Sequence, residues 1–311
     1  MNRQQAWKNF DLGEELHVCG AFIYSGLRRF YEMNTLNNPD EVFEVLYNIS
    51  VGLERLLKIA VVLLKHDENI DQAELEKSLV NHNHPLLLKW VRDYTELNLS
   101  GPHNEFLALL EHFYNNLRYD RFTLSPTYNP NREREALIRF LAKGLKVDID
   151  EPAPGFGIRN DDRYKKYLRR IVIKIASAIF DVVVRKASEL NLYTYELRDG
   201  SRAQTIFLGR ADFLAEDVLW RELLVFFMNT SSSSGAIEFL RSIEPLDFDP
   251  ALANDYLACF QSDTAKAFVV DEVETLYADL EDPADRLKTM DLIANPNVYF
   301  DSPDSDEEEV G

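Results

Sequence analysis

Proton exchange near neutral pH calls for histidine, and all six histidines of this chain (His17, His66, His82, His84, His103 and His112) fall within its first 112 residues. Imidazole chemistry therefore has to use the N-terminal part, or that part from two chains. His82 and His84 flank Asn83 in NHNHP. Such a pair ligates metal only where the backbone turns both rings to one side, and no neighbouring Cys or acid completes a set, so no metal site is expected. The simpler role is structural, with Asn83 or His84 capping a helix that Pro85 begins. Arg118, Tyr119 and Arg121 close a later helix. There the cations either complement the C-terminal partial charge or hold a phosphate while the Tyr119 ring stacks a base. Glu54 and Lys58, four apart in the order that favours a helical ion pair, read as a surface or interface pair. Cys19 reads as a small buried hydrophobe.

A second cationic feature lies further on. From Arg132 to Lys174 twelve Lys/Arg face seven Asp/Glu, and Arg163, Lys166, Arg170 and Lys174 form a stripe along one helix. This stripe suits phosphates or an acidic partner, or is simply a solvated face. The strings that signal nucleotide-binding loops, hydrolase elbows or zinc-protease helices do not occur, so no cofactor is expected.

The elements that must position these residues are helical almost throughout. Phe43, Leu46, Ser50, Leu53, Leu57, Ala60 and Leu64 recur at threes and fours, predicting a helix over 41–65 that starts at Pro39 or Asp40. Its other face carries Glu44, Glu54, Arg55, Lys58 and Lys65. Further helices are predicted at 10–32, 71–80, 85–97, 104–119, 133–146, 163–190, 211–229, 235–242, 250–261, 264–280 and 283–293. LYTYEL at 192–197 and AQTIFL at 203–208, joined through Asp199-Gly200, predict one β-hairpin. The expected class is all-α: a helical bundle over 1–125, a connecting segment with one helix over 126–162, and a helical region over 163–300 carrying the hairpin at 192–208. The tail 301–311, with six acids in eleven residues, is expected to be disordered.

At 311 residues the chain is long enough for two domains. Two cysteines exclude a disulfide framework, and the start lacks a secretory pattern, so a cytoplasmic protein is expected. The longest apolar run, IAVVLL at 59–64, is too short for a membrane span. A net charge of −19 argues against general coating of nucleic acid.

The segment 40–122 resembles the HEPN family (higher eukaryotes and prokaryotes nucleotide-binding). The resemblance rests on an E-x-x-x-K helix (Glu54, Lys58), an H-x-L turn and helix (His84, Leu86), and an Arg118-Tyr119 ending. Asn83 and Asp120 stand where family members commonly have Gly and Pro, and no Arg precedes a His by the four to six intervening residues that mark the active ribonucleases. The resemblance implies an antiparallel bundle of four or five helices, with the 39–65 and 104–119 helices in one core, and pairing into a homodimer. It further implies a dimerising or binding module of an RNA-directed toxin–antitoxin or defence system. Its partners would be RNA, a nucleotide, or a protein such as a nucleotidyltransferase. The alternative reaction is metal-independent RNA cleavage at a rearranged site, with His84 or His112 as acid/base and Arg118 as phosphate clamp. A third reading is a helical scaffold that docks an acidic protein through the stripe.

Overall fold

The computed structural model describes residues 3–66, 70–120, 122–124, 131–149, 157–260 and 263–300. The expected acidic tail and Arg121 lie outside the described residues. Thirteen helices and no strands occur among those described, an all-α fold. Two compact units divide the chain, residues 1–213 and 214–311.

In the first unit, α1 (Leu12–Glu32) crosses α2 (Pro39–Lys65) closely. Two glycines make this approach possible. A Cβ on Gly26 would stand 2.6 Å from Ile49 Cγ1, and one on Gly52 would stand 2.6 Å from Ile23 Cγ1, with backbone atoms only slightly further away. The short α3 (Gln72–Leu79) and α4 (His84–Arg92) follow. Then α5 (Gly101–His112) runs through a π-helical turn, Phe113–Leu117, into Arg118–Asp120. After α6 (Arg132–Leu145) comes α7 (Asp162–Glu189), which shares one core with α2. Residues 157–161 fasten the α1–α2 connection: Asn160 Nδ2 donates to the Phe30 and Met33 carbonyls at 2.8 and 3.1 Å.

α2 is therefore the central rod rather than a helix with one solvated face. Val51, Leu56, Ile59, Val61, Val62 and Leu63 are buried along with the predicted stripe, because α1, α4, α5, α6 and α7 surround it. The bundle does not close at residue 125. α7 contributes Leu168, Ile171, Ile175 and Ile179 to the same core, and the compact unit runs on to Phe213.

The expected hairpin is absent. Tyr195–Leu197 is a single 3₁₀ turn, and 203–208 belongs to α8 (Arg202–Phe207). Ser201 accounts for the difference: its side chain accepts from Gln204 N at 3.1 Å, capping a helix whose Ala203, Ile206 and Phe207 are buried at helical spacing. Six apolar-rich residues fit either period, and the cap decides between them. Gly200 does turn the chain at φ +83°, but into a helix.

The second unit comprises α9 (Phe213–Asn229), whose first residue belongs to the first unit, α10 (Gly235–Ser242), α11 (Ala253–Ala258), α12 (Asp263–Ala278) and α13 (Pro283–Met290). No helix among the described residues is long and apolar enough to cross a membrane.

Candidate functional site

Three segments far apart in the chain meet beside the middle of α2. Glu54, on that helix, is buried, only 5% exposed. A carboxylate in that position needs partners. Lys58 Nζ donates to Glu54 Oε1 at 2.7 Å, and His82 Nδ1 lies 2.9 Å from Oε2. Glu54 is thus the hub of a small polar centre, not the surface pair that its helical spacing suggests. His82 arrives on the turn before α4, where Asn83 is the N-cap and its side chain accepts from Leu86 N at 2.8 Å. Asn115 Nδ2 reaches the His82 carbonyl at 3.5 Å and Glu111 Oε1 at 3.0 Å.

The π-helical turn supplies the third segment. The Arg118 N–H bonds back to the Phe113 carbonyl, five residues away. Its guanidinium carbon lies 3.7 Å from the Tyr114 ring centroid and 4.5 Å from that of Tyr119, and Nη2 donates to the Tyr119 hydroxyl. Tyr114 is in turn 4.4 Å from the His82 ring, centroid to centroid. A stacked series continues from Tyr114 to Tyr47 and Phe43, each step 6.2 Å. Arg118 is held by aromatic faces, and among the described side chains no carboxylate pairs with it, so its charge stays available. Tyr119 is 52% exposed.

The predicted histidines separate. His84 is wholly buried, and its Nε2 lies 2.9 Å from the Ser50 carbonyl, which it meets as a donor. Burial lowers its pKa below the ordinary imidazole value, although the Ser50 carbonyl, Glu54 and Glu111 pull the other way. It braces α4 against α2 where solvent does not reach. His112 is exposed and pairs with Asn116 Nδ2 at 3.1 Å. His82, 43% exposed at its side chain, is the imidazole that meets both the carboxylate and the aromatic face. Burial raises the Cys19 thiol well above its usual range, in keeping with the expected buried hydrophobe.

The stripe is a separate surface. Arg163, Lys166, Arg170 and Lys174 are all exposed on α7, with Arg163 Nη2 3.6 Å from Asp161 Oδ2. Arg170 and Lys174 act on His103, in the first turn of α5; burial, with these two cations adding, lowers the His103 pKa. Arg118 lies beyond the other end of α5, so some 20 Å of helix separates the two patches. Among the described residues no set of three or more His, Cys, Asp or Glu gathers as a metal site.

The sequence alone passed over Tyr114, Asn115 and Glu111. A signal was present: Tyr114 precedes Arg118 by four, a spacing that stacks guanidinium on ring. The chain matches no family profile, no curated protein and no solved structure.

Proposed function

We propose that the first unit is a HEPN-like module that binds single-stranded RNA or a nucleotide at the His82–Glu54–Arg118 centre, in the RNA-directed toxin–antitoxin or defence setting which that resemblance implies. One observation carries the reading. Glu54/Lys58 and Arg118-Tyr119, two of the three elements of the resemblance, converge beside His82, two residues before the His84 of the third, although up to 65 residues separate them. The site offers an exposed phenol for base stacking, a guanidinium that pairs with no carboxylate among the described side chains for phosphate, and an imidazole oriented by a carboxylate. Fold alone does not choose the ligand; these groups do.

The His82–Glu54 geometry also favours a second reading, metal-independent RNA cleavage. Glu54 fixes the Nδ1 side of the ring, so Nε2 would take the proton of an attacking 2′-hydroxyl, and Arg118 would offset charge on the phosphorane. His82 replaces His84 and His112 in that role.

Anisotropy titration with a short labelled single-stranded RNA in EDTA tests both readings. Tyr119→Ala and Arg118→Ala are each expected to weaken binding about tenfold, the loss of one stacked base or one phosphate contact. Wild-type affinity in both variants would remove the proposed site. Cleavage by the parent that disappears in His82→Asn would establish the second reading; intact RNA from pH 5 to 9 leaves the binding module. Sedimentation of the same sample measures the homodimer that the resemblance implies.

A further inference from the structure

The second unit carries its own unusual combination of properties, independent of the RNA reading. Its helices have little interior to share. Apart from Ile237, no large apolar side chain among its described residues is buried. Yet α9 is apolar around most of its circumference, and Leu219, Leu223 and Phe226, at spacings of four and three, are each more than two-fifths exposed. Phe227 extends the same apolar surface, edge-on to Phe226 at 5.3 Å. Trp220 stacks on Phe260 at 5.4 Å, so α9 is tied to the end of α11 while its outer residues stay uncovered. Exposed apolar surface of this kind marks a place of contact.

Charge narrows the occupant. Residues 214–300 hold 17 Asp/Glu against five Lys/Arg, and residues 301–311 add six more acids. The first 213 residues, with 30 acids and 29 bases, are almost neutral. Nearly the whole net charge of the protein therefore resides in the second unit. Glu222, Asp247, Asp255, Asp271 and Glu274 are exposed there. Such a surface repels nucleic acid, an anionic membrane and a second copy of itself. What it complements is a chain segment that is both apolar on one face and cationic on the other.

We propose that α9 and its acidic surroundings form a docking surface for a basic amphipathic helix of another protein, bound by its apolar face against Leu219, Leu223 and Phe226 and by its Lys/Arg against the surrounding carboxylates. Helix-on-apolar-face recognition reads anchors at these same spacings. Salt weakens the attraction, and charge at the rim sets partner choice.

The probe is a labelled 18-residue Leu/Lys peptide with helical periodicity, titrated into the full chain and followed by anisotropy. Two control peptides accompany it: a scrambled one of equal composition and a Leu/Glu one of equal periodicity. The amphipathic cationic peptide is expected to saturate the protein. The scramble should bind at least tenfold more weakly, and the Leu/Glu peptide not at all. Leu223→Asp with Phe226→Asp should lower affinity at least tenfold although it makes the surface more acidic, with far-UV circular dichroism unchanged. Equal binding of the scramble would reduce the surface to charge alone, and binding of the Leu/Glu peptide would reduce it to unspecific apolar adhesion; either overturns the proposal. So does undiminished binding in the double variant. Sedimentation as a dimer that the double variant dissociates would assign the face to a second copy instead. Should the double variant lose helicity, the three peptides on the unaltered chain still decide.

Discussion

At the scale of single residues, the two histidines of NHNHP show how much one turn of backbone decides. Their types are plain in the sequence, but which ring goes inward depends on α2 passing alongside. His84 takes the Ser50 carbonyl and is buried; His82, two residues earlier, meets Glu54. The lowered pKa of His84 has a consequence for stability. Above about pH 6.5, the ordinary histidine value, folded and unfolded chains both hold it neutral, and linkage takes nothing from stability. As pH falls below that value the unfolded chain takes up a proton that the folded chain refuses, so stability drops. His103, also lowered, adds to the same trend. The urea midpoint is expected to fall from pH 7 to pH 5, and to fall less in His84→Gln, whose amide can still donate to Ser50. An equal slope in both proteins would deny His84 this role. The cap of α4, in contrast, was readable down to Asn83 or His84, because Pro85 marks the helix start; Asn83 is the one that accepts from Leu86 N.

At the scale of elements, helix positions followed the apolar spacing closely, since that spacing is what the core pays attention to. Two things escaped it. The 203–208 segment carries too few residues to distinguish helix from strand without its Ser201 cap. The all-round burial of α2 depends on how many neighbours surround it, which no periodicity within α2 records. The α1–α2 crossing gives a direct check. Gly52→Ala would set a methyl carbon 2.6 Å from Ile23 Cγ1 and 3.0 Å from the Ile23 nitrogen, forcing the helices apart. The expected loss is about 2 kcal/mol in a denaturant titration. Gly101→Ala, with no atom within 4 Å of its added carbon, serves as the control and should leave stability level or slightly higher. Equal effects at both glycines would mean that the crossing is looser than described.

At the scale of the whole molecule, the two units contrast in how they are held together. The first unit owns a continuous apolar core from Leu16 to Phe213, while residues 214–300 bury little beyond Ile237. Backbone ordering costs about 1–2 kcal/mol per residue, and buried apolar area is the main term that offsets it. Amide exchange followed by mass spectrometry is therefore expected to be much faster over 214–300 than over α2, by two or more orders of magnitude at pH 7. Slowing of the 214–300 amides on addition of the Leu/Lys peptide would tie that contrast to the docking surface. Comparable protection in both units would show that the second has an interior of its own. This division was hidden in the sequence because α9 is as apolar as any core helix; its composition announces contact but not with what.

The π-helical turn before Arg118 amounts to one residue more than an α-helix would use. Rewinding the same residues into ordinary i to i−4 bonding, with no residue removed, would rotate all that follows by some 100°. The guanidinium would be carried away from the His82 side of the centre, although every side chain named there would still be present. A single codon's worth of surplus backbone thus aims the cation.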